Sequence, residues 1–220
     1  MTEGLVDTMD IFDIIGPVMV GPSSSHTAGA VRIGYVGQKL LAEPVVKAQI
    51  GLYGSFWSTG KGHGTDRALA AGLMGWEPED ERIAEQAGVE LSFYQADLKD
   101  AHPNTAVIHM TGAGGRELEV IAASIGGGRI RICEVDGLTV NVCGEYPTLI
   151  VHNLDQPGHV AEVTSMLSHK SVNIATLQLY RNSRGGNAVM VLECDQEIPL
   201  EAIKWLEHLE GVIKVTYLNL

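Results

Sequence analysis

Tyr146-Pro147-Thr148-Leu149-Ile150-Val151-His152-Asn153-Leu154-Asp155-Gln156-Pro157-Gly158 joins an apolar, β-rich run to a tight turn. Four to eight apolar residues bounded by turn chemistry read as a buried strand, and Asp-Gln-Pro-Gly stops it. Val160, Val163 and Leu167 then recur at helical spacing, and His169-Lys170 puts positive charge where a helix C-terminus favours it. Residues 172–181 and 186–194 read as strands joined by the hairpin loop Asn182-Ser183-Arg184-Gly185. Leu200, Ile203, Leu206 and Leu209 predict a second amphipathic helix with Pro199 near its start, and residues 212–218 a last strand. The order is βαββαβ, a ferredoxin-like split arrangement over residues 147–220.

A seam near residue 145 divides this unit from residues 1–144. In the first part, residues 26–41 predict a helix with Ala30, Ile33, Gly37 and Leu40 on one face, stopped by Pro44. Residues 45–53 read as a strand. Thr65 is placed to cap a helix running to Met74, and residues 79–87 suggest another. Strands are expected at 89–94, 105–111, 117–124 and 129–135, with Gly112–Gly115 and Gly126–Gly128 as hairpin turns and Asp136-Gly137 as a further turn. Helices set into a mostly antiparallel sheet make a mixed α+β domain.

Composition narrows the chemistry. With 45% hydrophobic and 19% charged residues, the 220-residue chain has the make-up of a packed globular protein. The net charge of −12 argues against nucleic acid, whose phosphates call for a basic face. The N-terminus shows neither a basic leader nor a long apolar run, so no membrane span is expected and the expected location is the cytoplasm. Cys133, Cys143 and Cys194 are dispersed, with no CxxC pair. They suit a reducing compartment and do not make a four-cysteine metal or cluster site, so no metal ligands are assigned to this chain.

Two polar loops stand out. Gly21-Pro22-Ser23-Ser24-Ser25-His26-Thr27 leads into the first helix, and a helix start offers N–H groups and a dipole to an anion. Ser25 or Thr27 acting as a simple cap is the structural alternative. Ser58-Thr59-Gly60-Lys61-Gly62-His63-Gly64-Thr65-Asp66 sets a histidine between two glycines, either a ligand approach or a solvated turn. It is not a phosphate loop, because the spacing from Gly54 to Gly60 is one too long and Gly62 replaces the Ser or Thr. Gly112-Ala113-Gly114-Gly115 likewise fails the dinucleotide pattern, with Glu117 at the third glycine position. His102-Pro103-Asn104 reads as a turn, His109, His169 and His208 as structural, and Arg129 and Arg131 as a solvated strand face. In the C-terminal unit Asp155 suits an amino-acid ammonium and the N–H groups after it a carboxylate, with a Pro-Gly turn and Asx cap as the plain alternative.

Taken together, Val20 to Thr27, Gly60 to Asp66, His102-Pro103-Asn104 and Ile125-Gly126-Gly127-Gly128 resemble the β chain of bacterial iron–sulfur-dependent L-serine dehydratase, the two-chain form. The resemblance spans nearly the whole chain. From Pro147 it extends to an ACT domain, through Asp155-Gln156-Pro157-Gly158 and Val172-Asn173-Ile174. It implies conversion of L-serine to pyruvate and ammonia. It also implies a partner α chain carrying a [4Fe–4S] cluster that acts as Lewis acid on the substrate hydroxyl. On this reading Ser23, Ser24, Ser25 and Thr27 hold the substrate carboxylate, and His26 orients substrate or assists proton transfer. His63 is the candidate base, with Lys61, Thr65 and Asp66 around it.

For the ACT unit the resemblance points to His152, Asp155, Gly158 and Asn173 as effector contacts at a dimer interface, Asp155 standing where a serine-sensing relative carries Asn. Some enzymes of this class use a monovalent cation. A free-standing ACT-type amino-acid-binding regulator without a catalytic role is the alternative.

Overall fold

The computed structural model describes residues 23–75, 88–181 and 183–219. Helix α1 (Ala28–Leu41) leads into strand β1 (Val45–Leu52). Two single-turn helices, α2 (Ser55–Ser58) and α3 (Gly60–His63), precede α4 (Thr65–Met74). Strands β2 (Glu90–Gln95), β3 (Thr105–Gly112), β4 (Glu117–Gly126), β5 (Arg129–Val135) and β6 (Leu138–Val142) complete a six-stranded sheet of order β2-β1-β3-β4-β5-β6. Only the β1–β2 pair is parallel.

The period-2 pattern decides which face is covered. Ala48, Ile50 and Leu52 stand opposite Met110, Ile108 and Ala106, and these in turn oppose Leu118, Val120 and Ala122, all buried. Intervening positions such as Lys47, His109 and Glu119 point away, and His109 and Glu119 pair at 2.9 Å. A row of alternate apolar residues therefore makes one dry face for the helices. Helices α1 and α4 pack closely on each other because both carry glycine at the crossing. A Cβ on Gly34 would lie 2.3 Å from the Leu69 carbonyl oxygen, and one on Gly72 would lie 2.0 Å from that of Val31.

The C-terminal unit has β7 (Thr148–Leu154), α5 (His159–His169), β8 (Ile174–Arg181), β9 (Asn187–Cys194), α6 (Leu200–Glu207) and β10 (Val212–Leu218). Its antiparallel order β10-β7-β9-β8 is the expected βαββαβ topology. Leu149, Val151, Met190 and Leu192 form a core with Val163, Leu167, Ala202 and Leu206. Ile150, Val189, Val191 and Leu218, on the other sheet face, join the core of the first unit. Polar contacts cross the seam as well: the Arg32 guanidinium donates to the Gly144 carbonyl at 2.7 Å, and the buried Glu193 carboxylate accepts the Cys143 N–H at 3.1 Å. No described helix is long and apolar enough to cross a membrane.

Several local expectations change. The first helix starts at Ala28, because the Thr27 and Gly29 N–H groups bond the Ser23 and Ser24 carbonyls in a preceding turn. Thr65 is the first residue of α4 and not its cap; Gly64, with φ of 71°, holds the cap position. The loop around Gly60 contains the two helical turns α2 and α3. Strand β6 was not anticipated. The helix expected at 79–87 lies outside the described residues, as do Val20 to Pro22 and Asn182.

Candidate functional site

Four sequence segments gather at one end of the larger sheet. Strand β1 ends there, and β3 starts there with the Tyr53 N–H bonded to the Thr105 carbonyl at 3.0 Å. The Phe56 N–H bonds Pro103 and the Ser124 N–H bonds Asn104, which ties the His102-Pro103-Asn104 turn to α2 and to the end of β4. A Cβ on Gly29 would touch the Ser124 hydroxyl at 2.0 Å, so the first turn of α1 sits directly on the strand that leads into Ile125-Gly126-Gly127-Gly128. Helices α1 and α4 both begin at this end, which carries the serine-rich and histidine-glycine loops to the same place.

His26 and His63 meet there edge to face, with ring centroids 4.8 Å apart. The buried His26 ring also packs on Phe56 at 5.3 Å. Its Nδ1 lies 3.0 Å from the Ser23 hydroxyl, and its Nε2 lies 3.0 Å from that of Thr59 and 3.2 Å from that of Ser55. Burial pushes the His26 pKa below its ordinary value, a hydrogen bond to Ser55 opposes that, and the neighbouring His63 lowers it further. The ring is therefore held neutral near pH 7.

The rest of the cluster is under-satisfied. His63 Nδ1, Thr27 Oγ1, Thr65 Oγ1 and Ser124 Oγ are all buried without a hydrogen-bond partner. Buried polar atoms are normally paired, so four orphans at one end of a sheet mark a place built to receive polar groups. The hydroxyls of Ser24 and Ser25 also carry no hydrogen bond among the described residues. The helix start itself is less open than its sequence suggests, since the His26, Thr27 and Gly29 N–H groups are bonded within the chain.

Lys61 and Asp66 fall elsewhere. They line a cleft of about 480 Å³ with Leu52, Trp57, Ser58 and Phe93. No residue of the His26–His63 contact lines it. Asp66 accepts the Arg67 N–H at 2.9 Å. The helical turn of α3 explains the split, because Lys61 and His63 lie two positions apart and so face different ways.

The three cysteines are free and sit on different elements, Cys133 within β5, Cys143 just after β6 and Cys194 at the end of β9. Burial pushes the thiols of Cys133 and Cys143 up, and that of Cys194 up to about 11. Among the described residues no three His, Cys, Asp or Glu side chains are grouped to hold a metal ion.

In the C-terminal unit the four candidate effector residues do not converge within one chain. Asp155 follows the end of β7 that pairs with Asn187, and it accepts from the Gly185 N–H at 2.9 Å and from Arg181 at 3.2 Å. Those bonds hold its carboxyl below its usual range. Gly158, exposed, adopts φ of 109° just before α5. Asn173 precedes the end of β8 that pairs with Cys194, and it donates to Asp195 at 2.6 Å. The parallel run of β7 and β8 places Asp155 and Asn173 at opposite ends of the sheet.

His152 shares the face of Ile150, toward the first unit. Burial lowers its pKa, and Lys214, directly opposite on β10, lowers it further. Sequence reading missed Ser55, Thr59 and Ser124 at the first site. It also missed His159 and Asn153 beside the Pro-Gly turn, where both imidazole nitrogens and the Asn153 Oδ1 are buried without a hydrogen bond. A hydroxyl run before Gly60 was the signal for the first two; Ser124 gave none.

Known proteins share these segments. The profile of the family described as "Serine dehydratase beta chain" matches residues 8–90. A protein of Bacillus subtilis named "Probable L-serine dehydratase, beta chain" is 42% identical, over 94% of this chain and 96% of its own length. The "L-serine dehydratase, beta chain" of Peptoniphilus asaccharolyticus is 39% identical, over 85% of this chain and 87% of its own. Among solved structures, the ACT domain of a GTP pyrophosphokinase from Chlorobium tepidum matches 34% of this chain and 86% of its own at 22% identity, with a TM-score of 0.28.

Proposed function

Because the chain belongs to the family of L-serine dehydratase β chains, we propose that it carries half of an active site converting L-serine to pyruvate and ammonia, with an α chain supplying the other half. The observation that carries this reading is the contact of His26 with His63 amid four unpartnered buried polar atoms. The matches run through the first unit as well as the second, which leaves the free-standing regulator without a supporting observation.

His63 takes the Cα proton. Its Nδ1 is buried with no hydrogen-bond partner among the described residues, which leaves it open to the Cα proton. His26, whose pKa burial lowers, stands beside it as an uncharged neighbour. Ser24, Ser25 and Thr27 offer hydroxyl donors to the substrate carboxylate. Removal of the Cα proton and departure of the hydroxyl, protonated to water, leave aminoacrylate, which hydrolyses to pyruvate and ammonia. The [4Fe–4S] cluster belongs on the α chain, where it would supply Lewis-acid chemistry to the hydroxyl. The protein works in the cytoplasm.

The C-terminal unit pairs with a second copy. Asp155 and Asn173 lie at opposite ends of one sheet, so an effector touching both needs two copies. The edge strand β8 leaves Leu177 and Leu179 exposed at 39% and 48%, as a pairing edge would.

The test is reconstitution. The chain alone is colourless and inactive, and anaerobic mixing with its α partner gives serine-dependent pyruvate. Full activity of the α chain by itself overturns the shared-site reading.

A further inference from the structure

We propose that Thr59 is a positioning residue that fixes the tautomer of His26, an inference that rests on the shared-site reading. Thr59 has one hydroxyl proton. It lies 2.8 Å from the Ser55 carbonyl, one helical turn back, and donates there. The Thr59 oxygen therefore faces His26 Nε2, at 3.0 Å, with its lone pairs, and Nε2 carries the ring hydrogen. The Ser55 hydroxyl oxygen, 3.2 Å away, is a second acceptor for it.

The other side of the ring then has only one consistent arrangement. Nδ1 bears the lone pair, and the Ser23 hydroxyl donates to it at 3.0 Å. The Ser23 oxygen also accepts, weakly, from the His26 N–H at 3.4 Å. The protons run in one direction from the His26 backbone through Ser23, the ring and Thr59 to the Ser55 carbonyl, and the Ser55 hydroxyl proton points at the Thr59 oxygen, 3.4 Å away.

Two consequences follow from that direction. The Ser23 proton is committed to His26, so Ser23 is a positioning residue too, and the carboxylate grip falls to Ser24, Ser25 and Thr27. Protonating His26 would also place a second N–H against the Ser23 proton, so the network opposes a charged ring only 4.8 Å from His63. Thr59 thereby acts on proton transfer at His63 without touching substrate.

Thr59 is exposed, and a valine there keeps its shape while removing the acceptor. The full-length chain, labelled with nitrogen-15 in its histidines, is measured by long-range correlation of ring nitrogens with ring hydrogens. Wild type and Thr59→Ser should show His26 protonated at Nε2, and Thr59→Val should shift it toward Nδ1. With the α chain, Thr59→Val should lower kcat about tenfold while changing KM for L-serine much less, and Thr59→Ser should restore it. A wild-type His26 protonated at Nδ1 overturns the proposal, whatever the stability of the variants. So does an unchanged tautomer in Thr59→Val, or a changed tautomer with unaltered kcat. The ring measurement needs no α chain, so its failure is distinct from a wild-type mixture that makes no pyruvate, which counts against the shared site.

Discussion

Gly72→Ala probes how the fold sets the distance between the two histidine loops. Helices α1 and α4 start beside each other at the site and cross at Gly34 and Gly72. A Cβ on Gly72 would lie 2.0 Å from the Val31 carbonyl oxygen and 2.8 Å from the Tyr35 nitrogen, both backbone atoms that cannot swing aside. Contacts below 3.0 Å are not tolerated, so the helices must part locally by at least about 1 Å. On an uncrowded helix the same change would stabilise by about 1 kcal/mol through helix propensity. Overpacking costs about 1–3 kcal/mol, so a net loss of up to about 2 kcal/mol is expected. A displacement of about 1 Å at a reacting centre lowers turnover on the order of a hundredfold. Urea denaturation reads the first effect as a lower midpoint at unchanged slope, and turnover with the α chain reads the second. A midpoint equal to or above wild type would refute the close-crossing argument.

Other outcomes follow from the same cluster. Thr65→Val removes a hydroxyl that is fully buried and unpaired, so the free chain should gain about 1 kcal/mol in urea denaturation. A loss instead would mean that the hydroxyl has a partner. His26, whose folded pKa lies below the ordinary 6.5, is protonated more readily in the unfolded chain. Its contribution to stability is present above pH 6.5 and is lost as pH falls below it toward the folded pKa, so His26→Asn should flatten the decline between pH 7.5 and 5.5. Parallel wild-type and variant curves would remove His26 from that account.

The C-terminal unit was legible because each element obeys a local rule. The continuous apolar runs of β7 and β9 and the helical spacing of Val163 and Leu167 needed no long-range information. In the first unit β-rich runs between glycine turns located β3 to β5, with alternation plain in β4 and β5. Strand β6 was missed because five residues after a turn, Leu138 to Val142, offer too short a pattern. The two loops were visible as polar, glycine-rich breaks, but their meeting is a tertiary fact set by the glycine crossing of α1 and α4. Lys61 and Asp66 were read with His63 because sequence shows proximity along the chain and not the turn of α3 between them. Asp155 and Asn173 were likewise grouped although a strand length separates them.

The central claim is that this chain brings the proton acceptor to a site completed by another chain. Turnover of L-serine by the anaerobically mixed α and β chains, with His63→Ala in place of wild type, tests it most directly. The account predicts a fall in kcat of about two orders of magnitude or more. A tenfold or smaller effect would contradict it, leaving His63 as a positioning residue and the base on the α chain.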